Sequence, residues 1–174
     1  MGQITIKEIT AECDSVPFDC GEHDIQTLMA GAYAASILKQ VAVFNAFLDE
    51  SIVAQYMLST VFLSDDNYTW SYGGHLFAGI KIEYLAVAKE KQGMGIGTCV
   101  LEEAIRNLRD LCEKLPIRFI FIESVYSKTD WYLDFGFDYL PSGVKPPQED
   151  AFVVPMCIDM MGKDAVEAYI DSLV

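Results

Sequence analysis

The segment from residue 80 to residue 111 constrains the fold of this chain more than any other. It begins with an apolar, β-type run over residues 80–87, continues through a polar turn and a loop with alternating glycines, and ends in an amphipathic helix. Glycine lets a backbone turn tightly where a Cβ would obstruct it. The first N–H groups of a helix lack intrahelical acceptors and lie at the positive end of its dipole. The segment therefore predicts a site for an anionic group between strand and helix.

The spacing of the glycines excludes two well-known types of anion-binding loop. A phosphate loop follows the pattern G-x-x-x-x-G-K-[ST] and a dinucleotide loop follows G-x-G-x-x-G, and neither pattern fits Gly93, Gly95 and Gly97. The alternative is a strand–turn–helix connection that binds no ligand. Because a glycine costs about 0.8–1 kcal/mol inside a helix, a cluster of them at a helix start favours a ligand-binding role.

The pattern that does fit is Q-x-x-G-x-G, formed by Gln92, Gly95 and Gly97 directly after the strand residues YLAV. It resembles the acyl-CoA pyrophosphate loop of the GNAT family of N-acetyltransferases. A second segment over residues 131–137, WYLDFGF, resembles the "F/W-Y-x-x-x-G-F" motif on the short helix after the fifth strand in that family. The two motifs stand in the family's order and spacing, so the resemblance covers about residues 40–160.

Tyr132 occupies the place of the motif tyrosine, which in GNAT enzymes commonly lies beside the CoA sulfur and acts as general acid. A phenol with a pKa near ~10 can protonate the thiolate that leaves when an amine attacks a thioester. The alternative is that Tyr132 is a core aromatic among nine tyrosines. Many family members have Asn and Ala where Val125 and Lys128 stand here, so the usual contact of that Asn with the CoA arm has no counterpart.

The resemblance implies that acetyl-CoA is the acyl donor. Its pyrophosphate would lie on the backbone N–H groups of the glycine loop, and its pantetheine would pair with the strand edge at residues 85–87. A backbone N–H near Val87 would polarise the thioester carbonyl, the kind of contact that usually contributes most to acyl transfer. The cofactor-binding residues expected on this basis are Leu85, Ala86, Val87, Gln92, Gly93, Met94, Gly95, Ile96, Gly97 and Thr98.

A base is also needed, because the attacking amine must arrive neutral. Glu83 is the candidate, since it shares a strand face with Leu85 and Val87. The alternative is that Glu83 is only a solvent-facing strand residue. Three further carboxylates remain open as candidates: Asp65, Asp66 and Glu123.

The rest of the chain predicts the order β-α-β-β-β-α-β-α-β-β followed by a C-terminal helix, which is also the order of the GNAT fold. We expect one α/β domain over residues 1–174, with a mixed, largely antiparallel sheet flanked by helices and a splayed central strand pair. Asp24 is expected to cap the first helix, and Asp49-Glu50 to form a hairpin turn. The predicted strands are 2–9, 41–48, 52–63, 80–87, 117–125, 137–140 and 151–160, and the predicted helices, besides the one after the glycine loop, are 24–39, 128–135 and 162–174.

The charge balance bears on the substrate. With 12 Lys+Arg against 26 Asp+Glu, the net charge of −14 repels nucleic acid and anionic membranes and attracts cations. The alternative is that the excess of acidic residues only keeps the protein soluble. No apolar run reaches the ~18–20 residues of a membrane span, and five cysteines without paired spacing suit a reducing cytoplasm. Two histidines and no partner for the Cys20–His23 pair argue against a metal site. Cys99 is interpreted as a packing residue.

Three functions are compatible with these features. The first is transfer of an acetyl group to a primary amine, either a small cationic amine or a peptide amine, and the second is a non-catalytic acyl-CoA-binding module. The third is a toxin-like GNAT that acetylates aminoacyl-tRNA, because residues 18–29 resemble the opening of that subgroup. The acidic charge, and Tyr84 where that subgroup usually has arginine, argue against the third. Apolar faces on residues 153–160 or on the C-terminal helix would allow a homodimer.

Overall fold

The computed structural model describes residues 3–11, 17–64, 76–140, 145–146 and 152–161, together with Ala165, Ala168 and Asp171. The strands are β1 (Thr5–Glu8), β2 (Ala42–Leu48), β3 (Ser51–Ser64), β4 (Leu76–Val87), β5 (Phe119–Ser124), β6 (Asp138–Tyr139) and β7 (Val154–Asp159). The helices are α1 (His23–Ile37), α2 (Ile96–Cys112) and α3 (Thr129–Leu133).

The strands form one seven-stranded sheet in the order β1-β2-β3-β4-β5-β7-β6. The pairs β1/β2, β2/β3, β5/β7 and β6/β7 are antiparallel. The β2–β3 hairpin turns through Asp49 and Glu50, whose φ angles of 49° and 67° are the left-handed values that a two-residue type I′ turn requires. The predicted order of elements, the hairpin turn and the α/β class are therefore confirmed.

The chain divides into two compact units, each described by itself below. The first comprises Met1–Thr60 and Ile82–Asn107, and the second comprises Val61–Lys81 and Leu108–Val174. The single domain over residues 1–174 and the splay of the central strands remain predictions.

The first unit has a core on each face of its strands. On one face α1 buries Met29 and Ala32 against a cluster that includes Val43 and Met57. On the other face α2 buries Ile96, Val100 and Ala104 against Ala46, Ala54 and Tyr56. The cluster packed against α2 includes Ile96, the first residue of that helix. Burial of Ile96 therefore fixes where the preceding loop ends.

The second unit is organised around β5 and β7. Phe119, Phe121 and Cys157 form its buried cluster with Leu63 and Leu140. Arg118 makes a bidentate ion pair with Asp159, with Nη2 at 2.7 Å from Oδ2, and its guanidinium lies 4.7 Å from the Phe77 ring and 4.8 Å from the Phe119 ring. A planar guanidinium matches both a carboxylate fork and aromatic faces.

Several predicted features are wrong in detail. The N-cap of α1 is Glu22, which makes no side-chain cap bond, and Asp24 lies inside the first turn, where its charge still favours the helix dipole. β4 begins at Leu76, four residues before the predicted start. β7 lies between β5 and β6 and buries Val154, Met156, Cys157 and Ile158, so the apolar side chains expected to be exposed there are covered. The homodimer remains a prediction.

Two predicted segments lie wholly or largely outside the described residues. The polar, aromatic loop after β3 is one, and it contains Asp65 and Asp66. Of the C-terminal helix, only Ala165, Ala168 and Asp171 are described, and each is helical. Within the described part of the chain, no helix is long and apolar enough to cross a membrane.

Candidate acyl-CoA site

The glycine loop runs from Gln92 to Gly95 and follows a short 3-10 helix at Lys89–Lys91. Because α2 begins at Ile96, Gly97 lies in the first helical turn, and the loop predicted over residues 92–97 is two residues too long. Gly93 and Gly95 have φ angles of +75° and +78°, in the left-handed region that strains any residue with a Cβ. A Cβ added at either position would meet no atom within 4 Å, so the requirement for glycine is conformational.

The loop and the first turn of α2 present a run of backbone donors. Among the described residues, none accepts a hydrogen bond from the backbone N–H groups of residues 93–98. The first N–H beyond them is engaged, from Cys99 to the Gly95 carbonyl at 3.1 Å. The N–H of Gln92 has an acceptor, the Lys89 carbonyl at 3.4 Å, so the run of free donors begins at Gly93. Consecutive free donors at the positive end of a helix dipole form an anion-binding site.

The side chain of Gln92 holds this loop in place. Its Nε2 donates to the carbonyl oxygen of Cys20 at 2.8 Å and to that of Val87 at 3.1 Å. The Lys89 N–H donates to the Asp19 carbonyl at 2.8 Å, so the segment before α1 is bonded both to the loop and to the 3-10 helix that precedes it. The contacts of Asp19 and Cys20 with this region were not predicted from the sequence, because no local pattern links residues so far apart in the chain.

The end of β4 alternates as predicted. Glu83, Leu85 and Val87 are partly exposed on one face, while Tyr84 and Ala86 are buried on the other. Glu83 accepts a hydrogen bond from the Ser59 hydroxyl at 2.5 Å. Glu83 is therefore oriented by a neighbour on β3 and does not simply extend into solvent.

A buried polar row crosses β2, β3 and β4. The Tyr84 hydroxyl donates to Gln55 Oε1, and Gln55 Nε2 donates to Asn45 Oδ1 at 2.8 Å. Asn45 and Gln55 stand directly opposite each other in the strand register, and both are 1% exposed. Burial raises the pKa of Tyr84, which keeps its hydroxyl protonated as a donor. The row was missed, although a polar residue in the middle of each of two apolar strands was a visible signal.

Tyr132 belongs to the second unit and lies on α3. Its ring packs edge-to-face against Trp131 at 4.8 Å and Phe137 at 5.5 Å between centroids. The Tyr132 carbonyl also accepts from the N–H groups of Phe135 and Phe137, which fixes the turn at Gly136. Burial raises the pKa of Tyr132 to about 12. No described residue makes a hydrogen bond with its hydroxyl. Because its pKa lies far above 7, the phenol keeps its proton at neutral pH.

The other predicted candidates differ in their surroundings. Glu123 forms an ion pair with Lys81, with 2.6 Å between Oε2 and Nζ. Cys99 is exposed on α2, so its interpretation as a packing residue is wrong. In the described part of the chain, no group of three or more His, Cys, Asp or Glu residues could hold a metal ion.

Together, the mixed sheet and the glycine loop between β4 and α2 define a GNAT-like α/β fold. Neither a family model nor a curated protein matches the amino-acid sequence. Solved structures do match the fold over nearly the whole chain, among them AtaT and KacT, which are toxins of the GNAT type. The likeness confirms the predicted fold class and the resemblance to toxin-like GNAT proteins.

Three of these structures illustrate how far the similarity in fold extends. One described as a bacterial toxin is 14% identical with a TM-score of 0.75, and the match covers 98% of this chain and 97% of that one. A tyrosine-to-phenylalanine mutant of KacT is 19% identical with a TM-score of 0.74, covering 96% of this chain and 99% of that one. AtaT complexed with acetyl-methionyl-tRNAfMet is 16% identical with a TM-score of 0.73, covering 97% and 99%.

Proposed function

We propose that this protein is an N-acetyltransferase that uses acetyl-CoA to acetylate a primary amine. The observation that carries the proposal is the run of backbone N–H groups at residues 93–98 that donate to no described residue. The run includes two glycines with left-handed φ angles and the first residues of α2. The fold supports the same function, since AtaTR is known bound with acetyl-CoA and shares this fold at 16% identity and a TM-score of 0.68. The pyrophosphate is the anion that the loop would bind.

The residues of this chain have distinct roles in that reaction. Bound acetyl-CoA supplies an activated acetyl group, whose carbon–sulfur bond breaks as a carbon–nitrogen bond forms to the amine. Glu83, oriented by Ser59, accepts the proton that the amine must lose. Tyr132 holds a proton on its hydroxyl for the departing thiolate, as a phenol does at neutral pH. The backbone N–H near Val87 would stabilise charge on the carbonyl oxygen.

The acceptor we favour is a cationic amine, such as a polyamine or a lysine-bearing peptide. The net charge of −14 attracts cations and opposes a polyanion. The second candidate is aminoacyl-tRNA, favoured by the complex of AtaT with acetyl-methionyl-tRNAfMet. In that case an antitoxin partner would also be expected, because AtaT has been solved bound to the C-terminus of the antitoxin AtaR. We infer a cytoplasmic enzyme, since the four described cysteines are all free thiols.

Calorimetric titration with acetyl-CoA and with free CoA tests the cofactor. The decisive variant is Gly95→Glu, which places a side chain and a negative charge where the pyrophosphate would lie. Gly21→Glu is the matched control, because Gly21 also has a left-handed φ, +85° against +78° at Gly95, and equally open surroundings outside the loop. Micromolar binding lost in Gly95→Glu and kept in Gly21→Glu supports the proposal. No binding by a folded wild type would exclude it.

Thiol release then identifies the acceptor. Wild type is assayed with acetyl-CoA and, separately, a polyamine, a lysine-bearing peptide and methionyl-tRNA. Turnover with the first two supports a cationic acceptor, and turnover with methionyl-tRNA alone supports the toxin-like function. Binding of acetyl-CoA without turnover on any acceptor would favour a regulatory acyl-CoA-binding module.

A further inference from the structure

Strand β1 is the edge of the sheet, and no described strand pairs with its outer side. The Ile9 N–H donates to the Val43 carbonyl at 2.9 Å, which fixes the pairing pattern with β2. In an antiparallel ladder, residues that bond to the partner strand alternate with residues whose N–H and C=O groups point away. The backbone groups of Ile6 and Glu8 therefore point outward, toward the open side of the sheet.

A groove of about 550 Å³ runs beside this edge, inside the first unit and between β1 and α2. Its apolar part is formed by Ile4, Ile6 and Phe44. The side chains of Ile4, Ile6 and Glu8 line it, since alternate residues of a strand share one face. The residues whose backbone points away from the sheet thus also have side chains that face the groove.

The groove is acidic. Glu8 from β1 and Glu102 and Glu103 from α2 line it, against a single cation, Arg106, which is paired with Glu103. Tyr56 is nearly fully buried and stacks on Phe44 at 4.9 Å, and its pKa is raised by burial and then by the charges of Glu103 and Glu8. The carboxylates of Glu8 on β1 and Glu103 on α2 therefore both act on Tyr56, which stacks on Phe44.

We propose that β1 and this groove bind an extended, basic segment of a partner protein, which joins the sheet as an added strand. The outward N–H and C=O groups of Ile6 and Glu8 bond to the backbone of the segment, and alternate side chains of the segment lie in the groove. Lysine or arginine at those positions meets the carboxylates of Glu8 and Glu102, and their aliphatic stems cover Ile6 and Phe44. A second copy of this chain is a poor occupant, because its β1 strand carries one lysine and one glutamate and so offers no excess of positive charge to the acidic groove.

The probe is a fluorescein-labelled peptide, Lys-Val-Lys-Val-Lys-Val-Lys, titrated with the full chain and followed by anisotropy. The same peptide with glutamate for lysine is the charge-reversed control. Titrations are made at about 0.15 M salt, where charges further apart than about 8 Å are largely screened, so the net charge of the protein contributes little. The lysine peptide is expected to bind and the glutamate peptide is not.

Variants separate the charge from the strand pairing. Glu102→Gln removes one groove carboxylate and is expected to weaken binding about two- to fivefold. Glu8→Gln removes another, and Glu8→Pro removes the outward N–H as well, so Glu8→Pro should bind a further ~2- to 10-fold more weakly than Glu8→Gln. Proline is tolerated on an edge strand where the N–H faces outward. The charge control is Glu22→Gln, at an exposed residue that does not line the groove, and this variant should bind as wild type does.

A second measurement needs no variant. Cys99 is exposed and lines the groove, while Cys112 lies outside it. The lysine peptide should slow alkylation of Cys99 by iodoacetamide and leave alkylation of Cys112 unchanged, as read by peptide mass spectrometry.

Three results would overturn the proposal. The first is no binding of the lysine peptide to wild type. The second is equal weakening of peptide binding by Glu102→Gln and Glu22→Gln, which would show that the peptide responds only to the net charge of the protein. The third is a dimer of wild type in sedimentation that Glu8→Pro dissociates, which would make a second copy the occupant. The outcome is independent of acetyl-CoA binding, because none of these residues belongs to the glycine loop.

Discussion

The amide of Gln92 donates a hydrogen bond to the carbonyl oxygen of Cys20 at 2.8 Å, joining the glycine loop to the segment before α1. The same nitrogen bonds to Val87 at the end of β4. One side chain therefore connects three parts of the first unit that meet at the proposed anion site. A glutamine suits this position because one amide nitrogen can donate to two carbonyls.

Gln92→Ala is expected to weaken acetyl-CoA binding about tenfold and to lower stability by about 1–3 kcal/mol. The substitution removes two hydrogen bonds, each worth about 0.5–1.5 kcal/mol, from a loop that must be ordered to bind. Titration calorimetry measures the affinity and thermal unfolding the stability. Gln40→Ala is the control, since Gln40 is exposed beyond the end of α1. Unchanged affinity in Gln92→Ala would show that the loop needs no such support.

Alanine at two neighbouring glycines should have opposite effects on stability. Gly95→Ala forces a Cβ into a left-handed conformation and should destabilise by about 1–2 kcal/mol. Gly97→Ala lies in the first turn of α2 and should stabilise by up to about 1 kcal/mol. Thermal melts should therefore shift in opposite directions, by about 2–4 °C per kcal/mol. Equal shifts of one sign would contradict the helix start at Ile96.

Tyr132→Phe should lower kcat about 10²- to 10⁴-fold without changing the affinity for acetyl-CoA. The substitution removes only the proton that the departing thiolate takes, and it keeps the ring that packs against Trp131 and Phe137. Initial rates of thiol release and calorimetry give the two quantities. Tyr126→Phe is the matched control on the same segment. Full turnover in Tyr132→Phe would remove Tyr132 from the mechanism.

Stability should fall as the pH rises above about 10. Burial raises the pKa of Tyr132 to about 12, and it also raises those of Tyr56 and Tyr84, above the usual value of 10.0. Above pH ~10 the unfolded chain releases these protons and the folded chain retains them, so the free energy of unfolding decreases with pH. Below pH ~10 all three are protonated in both states and contribute no pH dependence.

Urea titrations between pH 9 and pH 11.5, followed by absorbance at 295 nm, measure that decrease. Part of the tyrosinate signal should appear only as the protein unfolds. Complete tyrosine ionisation before unfolding would show that the three hydroxyls are accessible to solvent.

Tyr84→Phe should destabilise the protein by about 1–3 kcal/mol. It leaves Gln55 Oε1 buried without the donor it has in the native structure, and an unpaired buried acceptor costs more than a hydrogen bond contributes. Tyr33→Phe, on the partly buried face of α1, should change stability little. Chemical denaturation compares the two, and equal effects would show that the polar row carries no stability.

The parts of the fold that local patterns determine were predictable. Alternation of side chains gave β4, and the glycines before Ile96 gave the loop and the following helix. The start of β4 at Leu76 was missed because the residues before it carry turn-forming side chains, and local signals do not show which strand will pair with them. The bonds from Gln92 to Cys20 and from Ser59 to Glu83 were missed for a related reason. They join distant parts of the chain, and a single sequence carries no record of long-range pairing.

The row Asn45–Gln55–Tyr84 has a consequence for folding errors. The strands that carry it are otherwise so apolar that several alignments of β2, β3 and β4 would bury similar hydrophobic area. Only one alignment lets all three polar side chains find one another, and a slip of one residue would turn them to the opposite face. Each misaligned sheet would bury polar groups without partners in a medium that cannot solvate them. The main effect of the row is therefore to lower the stability of misregistered sheets relative to the native sheet.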